Sequence, residues 1–117
     1  MHFHQAGIRV ASFEPDTPPT LDNTVSGNLI WDSEVDGVLV ESTADDTVLE
    51  RNLAIRAGDD GIDVESSETT LTRNRAYRNQ DLGIEAVPGV RDGGGNRAGG
   101  NGNPAQCTNV VCSRSGS

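Results

Sequence analysis

Carboxylates gather before glycine in this chain. Asp36 precedes Gly37, Asp59 and Asp60 precede Gly61, and Asp81 lies two residues before Gly83. Acids held together in this way can share a proton, take a cation, or divide into the acid and base of a hydrolytic pair. A second acidic set follows the same glycines, with Glu41, then Asp63 and Glu65, then Glu85. Alternation places such residues on one strand face. There Asp63 and Glu85 are candidates for calcium, which wants roughly six to eight oxygens and would need more from a loop or a substrate.

Composition limits the chemistry further. The 117 residues carry 18 acids against 9 arginines and no lysine, a formal charge of −9. That balance argues against nucleic acid and anionic lipid as partners. Without lysine, a phosphate-binding P-loop and Schiff-base catalysis are excluded. No apolar run is long enough to span a membrane, and the opening Met1-His2-Phe3-His4-Gln5-Ala6 lacks a signal-peptide pattern. Cys107 and Cys112 have no histidine nearby. A local disulfide is therefore preferred to zinc and implies an oxidising compartment, with free thiols as the alternative.

The elements that position these groups come from a repeat. Asn28, Asn52, Asn74 and Asn96 are spaced by 24, 22 and 22 residues, and Gly37, Gly61 and Gly83 each follow an asparagine by nine. In register, Val25, Leu49, Leu71 and Gly93 share one position, and Ile30, Ala54, Ala76 and Ala98 another. After the glycines come Val38/Val40, Ile62/Val64 and Ile84/Ala86, alternating with polar residues as strands with one buried face do. Each unit thus holds three short strands and three bends. Parallel stacking at about 4.8 Å per coil turns equivalent positions into ladders, with the asparagines at left-handed bends and the glycines at sharp corners. Asp36 then stacks under Asp60, Asp59 under Asp81, and Asp63 under Glu85. Trp31, Ile55 and Tyr77, three residues after successive asparagines, form an outward strip beside Arg75 and Arg97. Trp31, Tyr77 and Arg75 are the candidates for stacking on sugar rings.

The tracts Asn23-Thr-Val-Ser-Gly-Asn28, Asp59-Asp-Gly-Ile-Asp-Val64 and Asn74-Arg-Ala-Tyr-Arg-Asn79 resemble the right-handed parallel β-helix repeat of the pectin lyase-like superfamily. The resemblance implies an all-β solenoid of about four coils of 22 to 24 residues. The superfamily contains polysaccharide lyases, hydrolases and epimerases as well as non-catalytic modules. Asp59, Asp60 and Asp36 match the polygalacturonase acids in position, but no histidine lies in the following coil and no Arg-x-Lys follows.

The coils are expected over residues 1–105, with 106–117 forming a disulfide-closed end and tail. Because Gly7 is itself a ninth-position glycine, upstream coils of a longer chain are expected too. Glu14-Pro-Asp-Thr-Pro-Pro19 reads as a loop leaving the stack. The acidic long-strand face is the expected functional surface. The chain reads as a non-catalytic segment of a secreted or extracellular protein, a bacterial cell surface included, with a polysaccharide or cell-surface glycan as partner. The alternative is a fragment of a polysaccharide hydrolase, lyase or epimerase acting through Asp36, Asp59, Asp60 and Asp81.

Overall fold

A computed structural model describes residues 8–10, 23–42 and 46–114. His2, His4, Gly7 and the Pro-rich stretch at 14–19 lie outside the described residues. Short strands succeed one another in chain order: β1 Ile8–Val10, β2 Asn23–Ser26, β3 Leu29–Trp31, β4 Val38–Val40, β5 Thr47–Glu50, β6 Leu53–Ile55 and β7 Ile62–Val64. Then come β8 Thr69–Thr72, β9 Arg75–Tyr77, β10 Ile84–Ala86, β11 Arg91–Gly94, β12 Arg97–Gly99, β13 Cys107–Thr108 and β14 Ser113–Arg114. Their pairing is parallel throughout and builds three sheets, ordered β1-β4-β7-β10-β13, β2-β5-β8-β11 and β3-β6-β9-β12-β14. This is a parallel β-helix of about four coils, as the repeat predicts.

The registers match the sequence rows. Val38 faces Ile62 and Ile62 faces Ile84, while Ile30, Ala54, Ala76 and Ala98 fall in line. These side chains, with Leu49 and Leu71, fill a narrow core that excludes water. One row departs from expectation. A bulge in β11 sets Asp92, not Gly93, opposite Leu71. A run of three glycines supplies no side chain to hold the register there.

The asparagine ladder forms, with the buried amides of Asn52 and Asn74 fully used. The Asn52 N–H donates to Asn74 Oδ1 at 3.1 Å, while Asn52 Nδ2 donates to Asn74 Oδ1 and to the Val25 carbonyl. Asn74 repeats the pattern with Asn96 and the Leu49 carbonyl. The left-handed residue, however, is the one before each asparagine: Gly27, Arg51, Arg73 and Gly95 have φ of 69°, 58°, 55° and 73°. A second ladder joins Ala57, Asn79 and Asn101, each backbone N–H donating to the next Oδ1 at 2.8 Å. It explains the corner glycines. A Cβ on Gly61 would lie 2.6 Å from Asn79 Nδ2, and one on Gly83 would lie 2.7 Å from Asn101 Nδ2. Close approach, rather than a left-handed turn, demands glycine there.

Strand pairing continues past Ala105, where Ile84 faces Cys107 and Arg97 faces Ser113. The Cys107–Cys112 disulfide forms, with Cα atoms 6.2 Å apart. It spans the place where β2-β5-β8-β11 would take a further strand. Buried Val110 closes that end of the core, and Asp92 Oδ2 holds the loop by accepting the Val111 N–H at 2.7 Å.

Candidate functional site

The acidic corner lies where the chain leaves the β3-β6-β9 sheet and enters β4, β7 or β10. Backbone pairing puts Asp36 and Asp60 on one ladder: the Asp60 N–H donates to Asp36 Oδ1 at 3.1 Å, and the Leu82 N–H donates to Asp60 Oδ1 at 3.0 Å. Both acids immediately precede the corner glycines and are almost wholly buried, Asp60 with 1% of its surface exposed. Its Oδ2 is buried and reached by no donor.

Carboxyl oxygens of Asp36, Asp60 and Asp63 lie within 4.8 Å of one another, as do those of Asp59, Asp60 and Asp81. Asp60 belongs to both groups. Asp36 and Asp81, the two ends of the expected acid set, are thus linked through it rather than grouped together. Asp81 is held by the Asn103 amide, which donates to its Oδ1 at 3.1 Å. Asp63 and Glu85 are register partners on β7 and β10. At three residues each, these strands are shorter than the four-residue β5 and β8, so the acid-bearing strand is not the long one the sequence suggests.

Crowded acids with little water retain protons. Burial pushes Asp60 up to about 9, helped by a hydrogen bond with the Glu85 carboxyl and opposed by the Leu82 N–H; the Asp59 and Glu85 charges add to the rise. Burial also raises Asp63 to about 7, with the charges of Asp36, Glu65, Glu85 and Asp59 adding. Asp36 rises to about 6, again chiefly by burial, although the Asp60 N–H opposes it. Asp59 is raised by burial, then by Asp81 and Glu85. At neutral pH the corner therefore holds Asp60 protonated and Asp63 partly so. A proton donor in catalysis must also reach its substrate. Asp60, which has the highest proton affinity, is sealed from any glycosidic oxygen.

The outer face of β3, β6 and β9 carries the apolar strip. Leu29 and Trp31 are 55% and 43% exposed, with the half-buried Leu53, Ile55 and Tyr77 in register beside them. Arg75 and Arg97 continue the Leu29–Leu53 row and are exposed. Sequence reasoning did not find a further set. Arg51 and Arg73, the left-handed residues before Asn52 and Asn74, join Arg75, Arg97 and Gly95 in lining an open groove. The Arg-Asn pairs at 51–52 and 73–74, taken with Asn-Arg at 74–75 and 96–97, were the available signal.

No curated protein and no solved structure matches the chain significantly. The model of one family, described as periplasmic copper-binding protein (NosD), matches residues 6–99. It covers the repeat from β1 through β12 and stops just short of Asn101, where the second ladder ends. With its parallel β-solenoid and its acid-lined corner, the chain belongs to the NosD family, a parallel β-helix family of the pectin lyase-like superfamily.

Proposed function

We propose that this chain is a non-catalytic, glycan-binding module of a periplasmic β-helix protein, with the sugar seated on the Leu29/Trp31/Ile55/Tyr77 strip. The observation that carries the reading is the exposed Trp31 ring at the head of a face whose neighbours fall in register. A surface that repeats every coil, at about 4.8 Å, suits a ligand that is itself a repeating polymer. Aromatic faces stack on sugar rings, and Arg75 and Arg97 at the rim donate hydrogen bonds to hydroxyl or acidic groups.

The family's name raises copper, and the described residues do not fit it. Copper favours imidazole, thiolate and thioether ligands. Among the described residues there is no histidine, and both cysteines are locked in the disulfide. The carboxyl groups of the acidic corner offer oxygen alone, and Asp60 holds a proton at neutral pH. Calcium, the cation expected from Asp63 and Glu85, finds no support either, since the family is described by a different metal.

Trp31 is the chain's single tryptophan, so its fluorescence reports on the strip directly. Titration with neutral and acidic oligosaccharides should shift its emission, and Tyr77→Ala should weaken the response. Emission unchanged by every glycan would remove this reading. The release of reducing ends or unsaturated uronate would restore the enzyme alternative.

A further inference from the structure

We propose that the groove formed by Arg51, Arg73, Arg75 and Arg97 is a binding site for a multiply charged oxyanion, phosphate or sulfate in kind. It adjoins the glycan strip and shares Arg75 and Arg97 with its rim, but it does not rest on glycan binding there. The groove encloses about 420 Å³ and is lined by these four arginines and Gly95. Nine arginines must serve a chain with 18 acids, yet four of them converge here. All four are exposed, and the groove lining contains no carboxylate. The acids gather instead beyond the opposite end of β6 and β9, at Asp59, Asp60 and Asp81.

The backbone fixes this arrangement. Arg51 and Arg73 occupy left-handed bends, a conformation that costs an arginine energy and that glycine adopts freely at Gly27 and Gly95 in the flanking coils. Arg97 faces Arg75 across parallel strands, which holds two like charges one coil apart. Guanidinium groups so placed repel one another until an anion lies between them, and their planar forks match tetrahedral oxyanions in bidentate fashion. Gly95 keeps the floor open, since a Cβ there would stand 2.9 Å from Arg73 Cγ. Charge, geometry and the bare floor all select a compact, multiply charged oxyanion.

The test follows thermal melting of the full chain in chloride, sulfate and pyrophosphate at constant ionic strength. Pyrophosphate is expected to raise the melting temperature in a saturable way that chloride does not reproduce. Arg73→Asn combined with Arg97→Gln should raise the half-saturating concentration about tenfold, since asparagine tolerates the left-handed bend while the charge-assisted bonds are lost. Arg56→Asn combined with Arg78→Asn removes the same charge from the other bend and should leave it within about twofold. Should the first pair fail to fold, Arg75→Gln with Arg97→Gln alters only exposed strand positions. Dextran sulfate that competes at lower charge concentration than pyrophosphate would identify a polymer-borne anion, and the reverse order a free one. An equal effect of chloride, or equal weakening by both double variants, overturns the proposal.

Discussion

Two ladders run along this β-helix with the same backbone geometry and opposite chemistry. In the asparagine ladder, each Oδ1 accepts from the neighbouring coil and each Nδ2 donates to a carbonyl and to the next side chain. In the aspartate ladder, Asp36 and Asp60 accept backbone N–H groups in the same way. The second carboxyl oxygen of Asp60 then stands where an amide would present a donor, and it meets Glu85 and nothing that donates to it. An amide would close that ladder as it closes the other. The asparagines are there for the fold, whereas the aspartates carry an electrostatic cost that the fold does not require.

The largest effect expected lies beneath the first ladder. Leu49 is fully buried, and its carbonyl accepts the Asn74 amide. Leu49→Asp buries an unpaired charge in a core with nothing to meet it, so the cooperative melt seen by circular dichroism should vanish. An unchanged melt would break the assigned register.

Converting one ladder into the other comes next. Asn74→Asp replaces a donor by an acceptor facing the Leu49 carbonyl and Asn96 Oδ1, which should cost about 3 to 5 kcal/mol in chemical denaturation at pH 7. The loss should shrink on acidification, as the new carboxyl takes up a proton and recovers a donor. A loss of under 1 kcal/mol would erase the distinction between the two ladders.

Reducing the Cys107–Cys112 bridge should remove about 2 kcal/mol, because the loop it closes is short. The melt should lose several degrees while the strand signal remains.

The mildest change is the mirror swap. Asp60→Asn keeps an acceptor for the Leu82 N–H and offers Glu85 a donor that needs no proton taken up on folding, so it should gain about 1 kcal/mol or more at pH 7. The same acids give the parent chain a pH signature. Asp36, Asp63 and Asp60 rise from 3.8 to about 6, 7 and 9, so each binds its proton more tightly folded than unfolded. Stability is therefore greatest below about pH 4 for these groups. It falls as pH rises, with Asp36 and Asp63 contributing up to about pH 7 and Asp60 continuing to about pH 9. Asp60→Asn should end that decline near neutrality. Melting temperatures between pH 4 and 9 would show it, and a parent curve rising over that range would contradict the protonated corner.

Much of this fold is legible in the sequence because its rows are made of side chains. Val38, Ile62 and Ile84 announce one strand row and Ile30, Ala54 and Ala76 another, and a fixed interval of nine from asparagine to glycine locks them together. The bulge at Asp92 was hidden, since Gly93, Gly94 and Gly95 give no row to read. The acids were found as neighbours, but which of them holds a proton depends on burial, and burial depends on the Asp60 backbone sitting beneath Leu82. The arginine groove escaped notice because an exposed arginine next to an asparagine reads as ordinary solvated surface. Only the left-handed bends bring Arg51 and Arg73 to the same side as Arg75 and Arg97.

The asparagine ladder has a polarity. Asn28 donates to Asn52, Asn52 to Asn74 and Asn74 to Asn96, while Asn96 turns to Asp92 and Asn101 to Gln106 within their own coil. A bend's N–H groups thus find their acceptor in the following coil, while each amide also reaches back to a carbonyl of the preceding one, as Asn96 does to Leu71 and Asn101 to Ala76. Each junction between coils is therefore tied in both directions, and neighbouring coils stabilise one another. A break in any one junction would then be felt in the coils on both sides of it.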